Sequence, residues 1–284
     1  MAEKLSEKDI ENINIEGTEE YAVMPLRNTV LFPQQVIPIY IGREKSLKLI
    51  SDIDLEKSKY IIVVAQEDGS IEEPSIEDLY SYGTLATVLK VFAMPDNSKS
   101  AIVQGIARVK ILDYLSKEPY FKAAASKISD EPVFDSSELN DIVEDLRTSF
   151  SDLIKVAPNL TEEHTGMLSN IKKPNRLVDR AVSLMTLPNQ EKQEILEEVN
   201  IKNRIEKAIS IINREIQRIK LGEEIQTEVH DEIAKTQREY YLREQMKAIQ
   251  KELGEDEGTV ELNELEKRIK VAKMPEASEK VAMK

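Results

Sequence analysis

The side chains in this 284-residue sequence that could break a bond are its serines and lysines, since there is no cysteine to act as a nucleophile or to form a disulfide. A serine–lysine pair needs the amine beside the hydroxyl as its base, and a glycine-rich loop whose amides hold the developing oxyanion. With nine glycines in the chain, no serine has such a loop next to it. The phosphate-cradling pattern G-x-x-x-x-G-K-[ST] does not occur, and "GEDEG" at Gly254 to Gly258 places carboxylates between its glycines, which repel an anion. No G-x-S-x-G elbow, H-E-x-x-H helix or calcium loop is present. His164 and His230 each lack a second histidine at ligand spacing and read as surface or packing residues. Carboxylates number 53, too many for any pair to single itself out. No catalytic residue, cofactor site or metal ligand is assigned, and binding is the function class that remains.

Charge narrows the partner. The net charge is −14, and residues 1–80 carry 17 acidic against 8 basic groups. A surface of that sign repels phosphate, so nucleic acid is not expected and an RNA-binding β domain is the weaker reading. No apolar run reaches the length of about 18 residues that a membrane span needs. The acidic N-terminus lacks the apolar core of a signal peptide. Together with the missing cysteines, this suits a soluble protein of the reducing cytoplasm.

Two segments are candidates for binding. The first is "TVLFPQQVIPIYI", where Leu31, Phe32, Pro33 and Tyr40 either border a groove or fill the core of a sheet. The second is "REYYLREQMKAIQKELGE", residues 238–255, an amphipathic helix with Tyr240, Tyr241, Leu242, Met246 and Ile249 on its apolar side. Too little sequence follows to build a partner for that side.

The elements that carry these segments change character along the chain, and the expected fold class is α+β. Residues 1–20 form an acidic leader expected to be disordered. From 21 to 132, six short runs rich in β-branched and aromatic residues predict a β-rich domain, a curled sheet or pseudo-barrel. "MPDNSKS" marks a hairpin, Gly105 a bulge, and Pro33 with Pro38 an edge or bulged strand. "GREKSLKLISDI" reads as a short helix, and Ser75 with Asp78 as a cap. Between 133 and 200 the period becomes 3.6: a capping box from Asp135 to Glu138 precedes a face of Leu139, Ile142, Val143, Leu146, Phe150 and Leu153, and three further short helices complete a helical lobe.

Residues 201–253 lack proline and predict one helix of ~53 residues, ~80 Å long. Ile205, Ile209, Ile212, Ile216 and Ile219 form an early stripe suited to the lobe before it. The late stripe at Leu242, Met246, Ile249 and Leu253 points roughly 110° away and needs another surface. The stretch between them is mostly charged and is expected to be solvated. "GEDEGTV" reads as a loop, and residues 254–284 as a linker and the start of a further module, so the sequence reads as the front part of a longer protein.

"MPLRNTVLFPQQVIPIYIGREKS", "VQGIARVKI" and above all "YYLREQMKAIQKELGE" resemble the N-terminal region of Lon, the ATP-dependent AAA+ serine protease family, from about Ala22 to the C-terminus. The resemblance implies a region that selects substrates and supports assembly in a hexamer degrading misfolded and selected regulatory proteins. Implied partners are unfolded or misfolded polypeptides, other copies of the chain, and the ATPase and protease domains. The long helix would lead into the ATPase ring, with its late stripe covered there. ATP and Mg would belong to the full-length parent, not to this stretch, which ends before the ATP loop and the catalytic serine and lysine. The alternative is a free-standing adaptor with a Lon-like N-terminal domain, or a coiled-coil scaffold. The early seam supplies only about two heptads where a coiled coil wants three or four.

Overall fold

A computed structural model describes residues 20–53, 60–129, 136–252 and 257–272, and single residues 275, 278 and 282. Residues 1–19 of the expected acidic leader, Asp135 of the expected capping box, Leu253 of the expected late stripe and residues 254–256 of the expected loop lie outside the described residues, while Glu20, expected in the leader, opens the first strand. The chain divides into two compact units, Met1–Ile219 and Lys220–Lys284.

In the first unit the six β-branched runs form six strands: β1 Glu20–Leu26, β2 Val36–Ile41, β3 Tyr60–Ala65, β4 Tyr82–Ala93, β5 Lys99–Ser116 and β6 Lys122–Lys127. They make one sheet in the order β2-β5-β4-β3-β1-β6, and β6 pairs back onto β5. That second pairing closes five strands into a ring, with β2 on the outer half of β5, so the expected curled pseudo-barrel is what forms. All neighbours are antiparallel except β1 and β3. A single strand can serve three neighbours because β5 is 18 residues long: Lys99 to Gln104 meet β2, and Val109 to Ser116 meet β6.

Bulges let β5 curve. Its register against β4 slips at Gly105, where Ile106 is the extra residue, as the glycine suggested. Against β6 it slips at Leu112 and Leu115, and both leucines are turned outward and exposed. The β4–β5 hairpin turns at Asn97, whose φ is 63°, and Asp96 Oδ1 accepts from the Ser98 amide at 3.1 Å. Helix α1, Glu44–Asp52, buries Leu49 and Ile50 against the sheet. Ser75 and Asp78 form the expected box, here around a 3-10 turn at Ile76–Asp78.

The run from Thr29 to Ile41 is strand only from Val36. Pro33 cannot donate to a ladder, and Gln34 takes a left-handed φ of 63°, so the chain there turns across β5. The Gln34 amide donates to the Gly105 carbonyl at 2.9 Å, and the Gly105 amide donates to the Gln35 carbonyl at 2.9 Å. A Cβ at position 105 would stand 2.3 Å from the Phe32 carbonyl oxygen, so only glycine lets the loop lie this close.

Four helices and the start of a fifth build the lobe: α2 Ser136–Val156, α3 Glu162–Ser169, α4 Pro174–Leu184, α5 Asn189–Glu197 and α6 Ile201–Glu252. The α2 face packs as its spacing required, with Val143, Leu146, Phe150 and Leu153 buried. Thr161 caps α3, and His164 takes the reciprocal place in the box: its Nδ1 accepts from the Thr161 amide at 3.0 Å. Pro174 opens α4, where its missing N–H costs nothing. Ile205 and Ile212 of the early α6 stripe are buried in the lobe core, which Ile209, Ile216 and Ile219 flank.

Barrel and lobe share that core, because Val30, Phe32 and Ala65 of the β part belong to it. A polar network crosses the same junction. Arg108 on β5 donates through Nη2 to Asp179 on α4 and through Nε to the Leu196 carbonyl at 2.9 Å. Arg204 on α6 is 0% exposed; it donates to the Glu198 carbonyl at 2.7 Å and brings Nη1 to 3.9 Å from Asp179. Gln193 on α5 donates to the Tyr82 carbonyl at 3.0 Å.

In the second unit, α6 carries Leu221, Ile225, Val229 and Ile233 at intervals of four, all exposed. The middle stretch is thus solvated as expected, and it bears an apolar line that its charges mask in the sequence. Helix α7, Glu257–Val271, begins earlier than expected: Glu257 to Val260 are helical rather than loop. One glycine costs a helix only ~1 kcal/mol, which the run of helix formers from Glu261 offsets.

Two outcomes follow from the junction. Replacing Asp179 by alanine leaves Arg108 and Arg204 buried around an absent carboxylate, and urea unfolding of the chain should show a loss of about 3–5 kcal/mol; a loss under ~1 kcal/mol would mean the network is not fastening the lobe. Gly105→Ala should cost about 1–3 kcal/mol through the forced shift of the loop. By contrast, Gly166→Ala, in open space on α3, should be neutral or stabilise by up to ~1 kcal/mol. Equal melting temperatures for the two glycine variants would remove the close approach as the reason for Gly105.

Candidate functional site

The turn after Phe32 and the helices α3 and α4 face each other across an open cleft of about 660 Å³. One wall is the segment Phe32 to Val36. Phe32 is the pin: its ring is buried in the shared core, and its amide donates to Gln35 Oε1 at 3.0 Å. With that ring held, Pro33 and Gln34 stand at the cleft, and Val36 is exposed at its rim. The opposite wall comes from Met167 and Asn170 at the end of α3, the link Ile171 to Lys173, and Arg176, Asp179, Arg180 and Ser183 along α4. Arg147 on α2 fixes the link, donating to the Leu168 and Ile171 carbonyls, each at 2.7 Å.

The walls differ in character from the rest of the chain. Val36, Met167, Pro33 and Ile171 give an apolar part, and Met167 is 45% exposed although it is large and unbranched. Such a thioether adapts its shape to varied apolar groups. The cationic part has Lys172, Lys173, Arg176 and Arg180, with Asp179 the one carboxylate among the described lining residues, and Arg108 already holds it. With the Gln34 amide oxygen turned toward Arg176, it accepts from that guanidinium at 2.7 and 2.8 Å, a polar tie between the walls.

The residues expected to bind are only partly brought together. Phe32 and Pro33 line the cleft. Leu31 does not: it is buried in the barrel core. Tyr40 lies on a separate hollow of about 450 Å³ and is exposed, its hydroxyl donating to Asp96 Oδ2 at 3.1 Å. There Arg43 is held below the usual arginine range, chiefly by burial, and donates to Gln66 Oε1 at 2.5 Å. Tyr240, Tyr241, Leu242, Met246 and Ile249 stand on α6 in the second unit, each between 54% and 68% exposed. The four cationic groups of the cleft were not anticipated, although "KKPNRLVDR", four basic residues in nine, stands out in a chain of net charge −14.

What this arrangement can do is hold a flexible chain, by apolar contact on one side and by charge on the other. Among the described residues no three His, Cys, Asp or Glu side chains are grouped to hold a metal, and no helix is long and apolar enough to cross a membrane.

Comparison with known proteins places the cleft within a family. Residues 20–214 match the model of the "ATP-dependent protease La (LON) substrate-binding domain", so every cleft residue lies inside the match and the exposed residues Tyr240 to Ile249 lie outside it. The chain is 39% identical over 264 residues to a Lon protease of Koribacter versatilis, covering 92% of this chain and 32% of that protein. It is 38% identical over 265 residues to a Lon protease of Dictyoglomus thermophilum, covering 93% and 33%. The chain thus spans about a third of the length of these relatives. In fold it is similar to the N-terminal domain of a Mycobacterium avium complex Lon protease, with a TM-score of 0.55 at 16% identity over 69% of this chain and 98% of that one. The chain, with its closed barrel and the helical lobe fastened to it, belongs to the Lon substrate-binding domain family.

Proposed function

We propose that this chain is the substrate-engaging and assembly region of a Lon-type ATP-dependent protease, and that it holds unfolded polypeptide in the cleft between the Phe32–Val36 segment and helices α3 and α4. The observation that carries this reading is the cleft itself, open and partly apolar, inside the segment that matches the family. A folded globule buries the apolar side chains that such a cleft accepts, whereas an unfolded chain offers them singly, and so the cleft distinguishes the two.

On this reading the chain binds and does not cut. It takes no cofactor of its own; ATP, magnesium and the serine and lysine of hydrolysis belong to the rest of such a protease, which acts in the cytoplasm on misfolded and selected regulatory proteins. One cleft of this size binds weakly. Several copies in one assembly raise the avidity by about 10²–10⁴ over a single copy without any new contact. The exposed apolar residues from Tyr240 to Ile249 suit the part of the chain that meets other copies or the ATPase ring.

The test uses a permanently unfolded, reduced and carbamidomethylated protein, followed by fluorescence anisotropy. The chain should bind it and ignore the same protein in folded form. Val36→Asn combined with Met167→Asn, both at exposed positions where stability should change by no more than ~0.5 kcal/mol, should weaken binding by roughly tenfold, or ~1.4 kcal/mol. Unchanged binding by that variant would remove the cleft as the site, and ATP hydrolysis by the chain alone would remove the division of labour.

A further inference from the structure

We infer that the cleft selects, among unfolded segments, those in which aspartate or glutamate lies within a few residues of an apolar side chain. The inference rests on the reading of the cleft as the polypeptide site and adds to it a substrate class. It comes from the charge of the walls. The chain as a whole carries −14, with its acidic excess heaviest in residues 1–80, yet Lys172, Lys173, Arg176 and Arg180 converge on one cleft. Asp179 does not cancel them, because its carboxylate is buried at the junction and matched by Arg108. With the Gln34 amide oxygen turned toward it, Arg176 is held in place, so at least one cation is oriented before any ligand arrives.

Distance decides which charges a bound segment feels. At physiological ionic strength the Debye length is about 8 Å. Acidic groups farther than that from the cleft are largely screened there, while Lys172 and Arg180, which line it, act at close range on whatever lies between the walls. A carboxylate entering beside Lys172 or Arg180 gains, a neutral segment gains nothing, and a lysine-flanked one is repelled.

The apolar half fixes the class of polyanion. Pro33, Val36, Met167 and Ile171 offer nothing to a sugar-phosphate backbone, and Phe32, the one aromatic ring in the described lining, is buried in the core and closed to base stacking. A peptide segment with an apolar residue flanked by carboxylates satisfies both halves at once. A nucleic acid satisfies one.

The experiment uses three twelve-residue labelled peptides with identical apolar residues, flanked by glutamate, by serine and glutamine, or by lysine. Each is titrated with the full chain at 50 mM and at 300 mM salt. The glutamate peptide should bind about tenfold more tightly than the uncharged one at low salt, the lysine peptide most weakly, and the spread should shrink to roughly threefold at high salt. Lys172→Glu with Lys173→Glu, both exposed, leaves two cations against two carboxylates and should abolish the difference between the charged peptides; Lys172→Gln alone, a milder change that keeps the fold, should narrow the spread. If the three peptides bind equally at both salts but lose affinity together in Val36→Asn/Met167→Asn, the charge selection is overturned while the cleft remains the polypeptide site. If none of them binds, that reading fails as well. Displacement of the glutamate peptide by a single-stranded oligonucleotide of equal charge at lower concentration would overturn the inference in favour of phosphate. Self-association of the chain abolished by the charge reversal would overturn it in favour of a second copy.

Discussion

A single buried carboxylate between two buried guanidinium groups sets where the helical lobe sits on the barrel. Asp179 meets Arg108 of β5 and lies near Arg204 of α6, and each arginine also holds main-chain carbonyls at the end of α5 and beyond it. Burying three charges is costly, and an apolar cluster of the same volume can be as stable or more so. What an apolar cluster lacks is direction. The shared core of Phe32, Val30 and the lobe helices would tolerate sliding, whereas a carboxylate held by a fork of N–H groups fixes rotation and register along α4. Arg176, Arg180 and Ser183 lie on the same helix as Asp179, so fixing one fixes which of them face the cleft.

The opposite wall is referenced to the same strand. Gly105 of β5 receives the Phe32–Gln35 turn, and Arg108, three residues further along β5, receives α4. At about 3.3 Å per residue the two attachment points are no more than ~10 Å apart along the strand. The bulge at Ile106 falls between them. Both walls are thus attached to one strand, and this gives the bulged glycine a role beyond bending the strand.

Much of the fold was legible in the sequence because it is local. Six β-branched runs became six strands, the α2 face packed as its 3.6-residue period required, and Pro174, Thr161 and the Asp96–Asn97 turn acted where their chemistry predicts. The candidate site was less legible, because it is assembled from positions as far apart as 33 and 183. Phe32 and Leu31 are neighbours in one apolar run, yet one pins the loop to the lobe and the other fills the barrel; alternation across a chain that leaves its strand has no fixed sense until the turn at Gln34 is known. The cationic cluster was readable as a composition. Its meaning depended on a wall some 140 residues earlier, which no local pattern announces.

The two kinds of exposed apolar surface differ in what surrounds them. Val36 and Met167 sit beside four cations in a concave site, and the residues from Tyr240 to Ile249 lie on a convex helix face with charges of both signs. A concave, mixed surface suits a ligand that is flexible and variable, since charge draws it in and the adaptable methionine tolerates its shape. A convex face of regular spacing suits a fixed partner that can match the period. A protein that must expose apolar groups in order to work risks sticking to itself. The net acidic charge of the chain opposes indiscriminate sticking, since like charges repel over the distance where screening is incomplete, and leaves assembly to a matched face. On the reading proposed above, the uneven placing of charge, acidic over the chain as a whole and basic in the cleft, is one device with two effects, solubility at long range and selection at short range.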